Sequence, residues 1–541
     1  MINYLRGDGS KDLAHGGSFR TRETPLGDIV DSQPIYVAAP GPDLFRTQTF
    51  TGTDSYGTFA ANQASRSPRV YVAANDGFLH GFDAATGVET YAYLPGAVIT
   101  SGLTDLANPA YGDTVSHEFF NDGELTLADA YFGSAWHTVL VGTTGKGLAK
   151  AVYALDVTDP ANIQFLWERS AGDGKPNSNY IGQMTGKPVI AQTADGVWSV
   201  LMGNGYNSAA GKAALLQFAL SDGTLDVHQT TDTTGLAAPA VWIGTLANGV
   251  STVAYAGDAD GNVWSFTLNT GSTTATATSS SGGVKLFTAT DSSGKAQPIT
   301  AGMSIGKDPQ SGNVWIFFGT GKYLSSADLT DMSTQTWYGL IVSSTDSTNH
   351  PAVDGITHKD RTALAQRSIT SETAGDANTL PARTVTTLTD ASNINGKSGW
   401  YIDLLSPTGV NGAAVQQGER MVTPNLLQSG LLVGTTRIPQ AADACNPSGK
   451  GWIMAIDPFT GTNPQTVFFD INGSGVADDG DKINGKPAAG IGFASLPNNP
   501  IFVGSHMLVS FDNGTNTSLK TFASPANGAL QRVSWRELIS P

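Results

Sequence analysis

Oxygen-bearing side chains recur at nearly every second position in one late stretch of the sequence, residues 466–486. The set consists of Asp470, Asn472, Ser474, Asp478 and Asp481. Glycines at 473 and 475 interrupt them, and glycine lets the backbone curl tightly enough to bring alternate side chains round one centre. Ca²⁺ takes roughly six to eight hard oxygen ligands in a flexible shell. The pattern predicts a calcium site, and a polar, glycine-rich turn without metal is the alternative.

Residues 470–481 follow the ligand order of an EF-hand calcium loop. The predicted ligands are the side chains of Asp470, Asn472, Ser474 and Asp478 and the carbonyl of Val476, with Asp481 or water completing the shell. An apolar residue is acceptable at Val476 because that position supplies only its main-chain oxygen. Asp481 stands where an EF-hand has a bidentate glutamate, and its arm is shorter.

A second stretch with the same rhythm lies at 257–266, where Asp258, Asp260 and Asn262 alternate. Strand-like residues follow at once, and no later carboxylate completes a ligand shell. This pattern favours a hairpin corner without metal.

The charge balance excludes one large class of partner. Acidic residues outnumber basic ones by 46 to 30, which gives a formal net charge of −16. Such a surface repels nucleic acid and anionic membranes. The single cysteine, Cys445, excludes an internal disulfide and paired-cysteine zinc or haem motifs.

Loose repeats of strand, turn and strand run along the sequence, which contains 64 glycines among 541 residues. They cover 69–87, 150–160, 213–223, 253–271 and 451–461, and the best copies end in a turn such as "DAATG". Radial repetition of four-stranded sheets fits this pattern best. We therefore predict an all-β, modified β-propeller of about seven blades with quinoprotein-like repeats and long loop insertions.

The predicted propeller is a single domain over 25–541, preceded by a lead-in segment, 1–24. Residues 25–38 and the C-terminal 532–539 are expected to pair in or near one blade and close the ring. Stacked β-sandwiches are the competing architecture. Helical periodicity is visible only in parts of 360–392.

No stretch is apolar for the roughly 18 residues of a membrane span, and the first residues lack the apolar core of a signal peptide. We therefore expect a C-terminal portion of a longer exported precursor. The tryptophans in strand-like runs, which we expect to pack between blades and not to form a sugar-binding platform, are Trp264, Trp315, Trp337, Trp400 and Trp452.

A series of motifs resembles the C-terminal domain of the PilY/PilC family of type IV pilus biogenesis and adhesion proteins. In order they are "YLRGD" at 4–8, "FRTRETPLGDIVDSQPIYV" at 19–37, "YVAANDGFLHGFDAATG" at 71–87, "FFGTGKYL" at 317–324, "QTWYGL" at 335–340, "GERMVTPNLL" at 418–427, "GWIMAIDPFTG" at 451–461 and "FFDINGSGVADDGD" at 468–481. The resemblance runs from about residue 4 to about residue 485 and so covers most of the chain.

The resemblance implies a non-enzymatic, calcium-binding propeller at the pilus tip or outer cell surface. Such a domain opposes pilus retraction and supports adhesion and twitching motility. Its implied partners are pilins, minor pilins and the pilus assembly machinery. Ser474 departs from the family loop, which usually has an acidic residue there. Together with the short Asp481, this change predicts weak binding, near about 10⁻⁴ to 10⁻³ M.

Two other functions are weaker interpretations of the same sequence. A quinoprotein-like dehydrogenase using pyrroloquinoline quinone shares the repeats, and a periplasmic or outer-membrane assembly scaffold shares the propeller. No catalytic or organic cofactor-binding residue is predicted, since hydrolase motifs are absent or weak. Arg6, Gly7 and Asp8 form the tripeptide that integrins bind, which suggests a host-cell receptor as a further partner.

Overall fold

The computed structural model describes residues 1–245, 247–268, 282–343, 360–389, 394, 396–407, 414–440 and 448–522. Cys445, the C-terminal 532–539 and most of the insertions at 272–283 and 343–355 lie outside these ranges. The expected pairing of 25–38 with 532–539 therefore stays a prediction.

Strands are the main regular secondary structure of the described residues, and long turns and loops connect them. The helices are α1 (Ile2–Leu5), α2 (Thr53–Asn62) and α3 (Gly96–Ile99). The first sixteen strands are β1 (Ile35–Val37), β2 (Arg69–Ala73), β3 (Leu79–Asp83), β4 (Glu89–Tyr93), β5 (Leu125–Phe132), β6 (Ala135–Thr143), β7 (Ala151–Asp156), β8 (Gln164–Ser170), β9 (Val189–Ala194), β10 (Val197–Gly203), β11 (Ala214–Ala219), β12 (Leu225–Gln229), β13 (Ala240–Thr245), β14 (Val250–Gly257), β15 (Asn262–Thr267) and β16 (Val284–Thr288).

The remaining strands are β17 (Ser304–Lys307), β18 (Val314–Gly319), β19 (Thr336–Ser343), β20 (Ala365–Arg367), β21 (Ile369–Thr373), β22 (Ala382–Val385), β23 (Gly399–Asp403), β24 (Leu426–Gln428), β25 (Leu431–Gln440), β26 (Ser448–Ile456), β27 (Lys482–Ile483), β28 (Lys486–Pro487), β29 (Gly490–Phe493), β30 (Ile501–Val503), β31 (His506–Ser510) and β32 (Asn516–Lys520).

Most of these strands form antiparallel meanders, the arrangement of propeller blades. The strand orders are β1-β2-β3-β4, β5-β6-β7-β8, β12-β11-β10-β9-β14-β15-β16 with β13 beside β14, β17-β18-β19-β23-β20, β21-β22-β29-β26-β25-β24, β27-β28 and β30-β31-β32. Five of the sheets in the described ranges contain four or more strands, so the predicted number of about seven blades is not confirmed.

Local turn chemistry explains why the repeats fold alike. Asp83 Oδ1 accepts hydrogen bonds from Ala85 N, Thr86 N and Thr86 Oγ1, at 2.9–3.2 Å. Asp457 Oδ1 accepts the equivalent bonds from Phe459 and Thr460 in a later repeat. The glycine that follows each turn has a positive φ, 71° at Gly87 and 66° at Gly461, a conformation that favours glycine.

The chain forms two compact units, and the first contains Met1–Ala254. Its largest core includes the aromatic residues Phe45, Phe50, Tyr56, Trp136 and Trp198. The helix α2 was not predicted from the sequence. Tertiary contacts hold it, since Tyr56 stacks edge-on against Trp136 at 4.7 Å and its hydroxyl donates to Asp129 Oδ2 at 2.8 Å.

The second unit contains Tyr255–Ser265 and the described residues from Val284 onwards. One core contains Trp315, Trp337, Trp400 and Trp452, and another packs Phe468, Phe469 and Ile471 against β31. All five tryptophans expected to pack between blades are buried, and their place between blades stays a prediction. The helical signal in 360–392 was wrong, because this segment supplies β20–β22, whose backbone pairs with β23 and β29.

No helix within the described ranges combines the length and apolar character needed to cross a membrane.

Candidate metal centre

The predicted calcium loop lies between β26 and β29, in a long connection of the second unit. Its entry is fixed by the buried side chains of Phe468, Phe469 and Ile471. Phe469 bridges to Thr521, and Asp470 N donates to Lys520 O at 3.2 Å. The first predicted ligand therefore directly follows a firmly packed segment.

The two glycines of the loop adopt left-handed conformations, with φ of 68° at Gly473 and 77° at Gly475. Between them, Ser474 N donates to Asn472 Oδ1 at 2.8 Å and closes a local side-chain turn. The tight curl expected from the glycine spacing is confirmed.

This curl brings oxygens of three predicted ligand residues together. Ser474 Oγ lies 2.9 Å from Val476 O and 3.2 Å from Asp478 Oδ2. Asn472 Nδ2 donates to Asp478 Oδ1 at 2.9 Å. The hydroxyl therefore lies within hydrogen-bond distance of both the carbonyl and the carboxylate.

Asp470 gives the observation that tests whether a cation fits. The residue is only 8% exposed, and its Oδ2 accepts a hydrogen bond from Gly475 N at 2.9 Å. Its Oδ1 is buried and lacks a hydrogen-bond partner within the described part of the chain. A buried carboxylate oxygen without a partner is costly, and coordination of a hard cation would satisfy it.

Asp481 closes the loop from inside. It is fully buried, and its Oδ1 accepts from Ile471 N at 2.9 Å while its Oδ2 accepts from Asp478 N at 3.1 Å. Asp478 in turn caps the short 3₁₀ turn Asp479–Asp481, with Gly480 N donating to its Oδ1 at 2.7 Å. Sequence reasoning missed this loop-closing role, whose only local signal is the Asp-x-x-Asp spacing of a capping box. A ligand role for Asp481 stays a prediction.

The donor chemistry selects among metals. Across the ranges that the structure describes, no three His, Cys, Asp or Glu side chains are grouped so that they could hold a metal ion by themselves. An ion at 470–481 would therefore depend on amide, hydroxyl and carbonyl oxygens besides carboxylates. Such ligands suit Ca²⁺ and disfavour Zn²⁺.

The second stretch with the same rhythm is a structural corner. Asp258 is fully buried, and its Oδ1 accepts from Asp260 N at 3.0 Å and Asn262 N at 2.8 Å. Its Oδ2 accepts from Asn262 Nδ2 at 3.0 Å and from Trp264 Nε1 at 2.7 Å. Four N–H donors engage this carboxylate, as expected for a turn between β14 and β15, and the absence of a metal there stays a prediction.

The tripeptide Arg6, Gly7 and Asp8 follows α1 and is exposed throughout. Gly7 has a φ of 100°, and Asp8 Oδ1 accepts from Ser10 N at 2.8 Å. The hydrogen bonds from Ser10 lower the pKa of Asp8, so its carboxylate is charged at neutral pH.

Comparison with known proteins decides the family. The family model described as "PilY1 beta-propeller domain" matches residues 26–375, more than half of the chain. The chain belongs to the PilY1 family. A type IV pilus biogenesis factor PilY1 homolog of Xylella fastidiosa is 44% identical over 100% of this chain and 41% of its own length. PilY1 of Pseudomonas aeruginosa strain PAK is 35% identical over 88% of this chain and 42% of its own length.

A solved structure agrees with this assignment. The crystal structure of the Pseudomonas aeruginosa PilY1 C-terminal domain has a TM-score of 0.66 and 31% identity, covering 87% of this chain and 96% of that domain. The fold is therefore an all-β PilY1 propeller. The chain spans about two-fifths of the length of the curated relatives it matches. Those relatives are pilus biogenesis factors and not enzymes, so the quinoprotein dehydrogenase interpretation is set aside.

Proposed function

We propose that this chain is the calcium-binding propeller of a type IV pilus biogenesis factor at the pilus tip or outer cell surface. It opposes pilus retraction, supports adhesion and twitching motility, and works with pilins, minor pilins and the assembly machinery. The pilus role is supported by the PilY1 relatives, which are named type IV pilus biogenesis factors. The proposed calcium binding rests on Asp470 Oδ1, which is buried and has no hydrogen-bond partner in the described chain. It lies in the same loop as the oxygens of Ser474, Val476 and Asp478, which are within hydrogen-bond distance of one another.

Repulsion between the carboxylates of the loop would make its conformation depend on calcium. When bound, Ca²⁺ supplies positive charge and oxygen coordination that offset the carboxylates of Asp470 and Asp478. Without it, the Asp478 carboxylate accepts hydrogen bonds from Ser474 Oγ, Asn472 Nδ2 and Gly480 N. The buried Asp481 keeps the loop closed by accepting hydrogen bonds from Ile471 N and Asp478 N, and Asp481 or water completes the calcium shell.

Titration calorimetry of two variants tests the site. Asp478→Ala removes a charged ligand and is expected to abolish calcium uptake while the propeller stays folded. Asp479→Ala is the matched control, because that side chain is 95% exposed and pairs with Lys482 at 2.6 Å. Equal calcium uptake by wild type and Asp478→Ala would refute the assignment.

The biological role is tested in the full-length gene. We expect a deletion strain complemented with wild type to recover piliation, adhesion and twitching, and the Asp478→Ala gene to fail in retraction control. Normal surface piliation and adhesion in the deletion strain would contradict the proposed role.

The exposed tripeptide supports a receptor contact as a lesser part of the proposal. Asp8→Glu keeps the charge and lengthens the arm, so it should reduce binding to integrin-coated surfaces if the tripeptide is bound. Asp105→Glu is a suitable control elsewhere in the first unit. Unchanged binding by Asp8→Glu would remove the host-receptor role.

A further inference from the structure

One residue outside the predicted ligand set touches the calcium loop at two places. Lys520 is the last residue of β32, and its main-chain oxygen accepts a hydrogen bond from Asp470 N at 3.2 Å. Its ammonium group donates to the carbonyl oxygen of Gly475. Lys520 thus holds both the first ligand residue and the middle of the loop.

The position of Lys520 is set by the sheet and not by the loop. β32 pairs with β31 from Asn516 to Lys520, and β31 pairs with β30. The underside of this sheet is anchored by Met507 and Val509, both buried, in the same core as Phe468. The ammonium group therefore reaches the loop from a fixed support.

Two successive carbonyls of the loop have different hydrogen-bond partners. The carbonyl of Gly475 is held by Lys520, whereas the next one, Val476 O, lies 2.9 Å from Ser474 Oγ. The two oxygens have different partners, as an alternating ligand loop requires. Val476 supplies the main-chain ligand of the predicted set, so fixing Gly475 prepares its neighbour for coordination.

We infer that Lys520 is a positioning residue that prepares the calcium loop and couples its occupancy to the sheet β30–β32. The inference rests on the proposed function, since it concerns the same loop and the same ion. Residues that orient metal ligands without binding the metal have a large effect, and their loss commonly weakens affinity about 10–100-fold. In the coupled sheet, calcium at the loop reduces the opening of β30–β32.

The charge of Lys520 acts in the opposite direction. An ammonium group near a divalent cation repels it, so removing the charge alone would tighten binding. The ammonium bonds Gly475 O, which is outside the predicted ligand set, and Lys520 is partly exposed to solvent, which screens the repulsion. Positioning therefore outweighs repulsion, and the sign of the change in affinity distinguishes the two effects.

Calcium titration of the whole chain tests the positioning role. Lys520→Met keeps the aliphatic stem and the main-chain bond to Asp470 N, and we expect its calcium affinity to fall about tenfold or more. Lys520→Arg retains a cationic donor and should recover most of the affinity. Lys482→Met is the matched control, because Lys482 pairs with the exposed Asp479 of the same loop and should leave the affinity within about twofold.

Hydrogen exchange supplies a readout that a merely structural role would not move. In wild type, calcium should slow amide exchange in 501–520, and in Lys520→Met at saturating calcium this protection should be lost. Circular dichroism of each variant establishes that it is folded.

The outcomes separate the two proposals. Calcium uptake by wild type with equal or tighter affinity in Lys520→Met overturns the positioning role alone. If amide hydrogen exchange in residues 501–520 does not change on adding calcium, the coupling to the sheet β30–β32 is wrong. No calcium uptake by wild type overturns the proposed function and this inference together.

Discussion

Two loops of the second unit share the same alternation of Asp and Asn, yet the structure uses their carboxylates differently. In the corner at 257–262, Asp258 accepts four hydrogen bonds from N–H donors, including the indole of Trp264. In the loop at 470–481, Asp470 accepts one from Gly475 N and keeps its Oδ1 without a partner in the described chain. The Asp258 carboxylate is occupied by hydrogen-bond donors, whereas the Asp470 carboxylate has a buried oxygen that could coordinate a cation.

The difference lies in which atoms each carboxylate meets. Asp258 is followed at once by β15, whose Asn262 and Trp264 bring donors to it. Asp470 is followed by a longer excursion, which brings the Ser474 hydroxyl within hydrogen-bond distance of Val476 O and Asp478 Oδ2. A carboxylate surrounded by donors makes a hairpin corner, whereas a buried carboxylate oxygen without a donor suits a cation.

The largest expected loss of stability comes from removing the Asp258 carboxylate from the hairpin corner. Asp258→Ala removes the acceptor for the indole N–H of Trp264, the side-chain amide and main-chain N–H of Asn262 and the main-chain N–H of Asp260, so it should lower the free energy of unfolding by about 3–5 kcal/mol. Asp478→Ala without calcium loses chiefly a cap and should cost about 1 kcal/mol. Urea denaturation of both variants measures the contrast, and equal losses would contradict it.

Calcium should stabilise the protein against unfolding only when the 470–481 loop can bind it. At a free calcium concentration about 100 times the dissociation constant, wild type should gain about 2.7 kcal/mol against unfolding. Asp478→Ala should gain nothing under the same conditions. Denaturation in calcium and in chelator measures this, and an equal gain by Asp478→Ala would place the ion elsewhere.

An added negative charge should tighten calcium binding at the predicted loop. Ser474→Asp places a carboxylate where the hydroxyl now lies 2.9 Å from Val476 O, and affinity for calcium should rise about tenfold, or about 1.4 kcal/mol. Ser474→Asn adds similar bulk without charge and should not reproduce the gain. Calorimetric affinities that are the same for all three proteins would remove Ser474 from the ligand shell.

The smallest expected effect concerns the loop backbones. Gly473 has a φ of 68° and open space where an added methyl group would lie, so Gly473→Ala should cost only the left-handed conformation, about 1 kcal/mol. At Gly261, with a φ of 83°, an added Cβ would lie 2.5 Å from Gln297 O, so Gly261→Ala should cost clearly more. Denaturation midpoints check the ranking, and a larger loss at Gly473 would contradict it.

Local sequence was a good guide where the chain bonds to itself. The turn at Asp83 is closed by Ala85 and Thr86, within three residues, so its motif predicted its geometry. The curl at Gly473 and Gly475 was predictable for the same reason. The helix α2 was not, because its stability comes from Trp136 and Asp129, far away in the sequence.

The all-β class, the strand-and-turn repeats, the family and the group of oxygen-bearing residues at 470–481 could all be inferred from the order of amino acids. These features depend on residue types, spacing and neighbours a few positions apart, which local physics connects directly. Three features became visible only in the folded chain: Asp258 is enclosed by donors, Asp470 retains a buried oxygen without a described partner, and Lys520 reaches the loop from β32. Those outcomes depend on which distant groups burial brings within hydrogen-bond distance, and no local pattern of the chain specifies that.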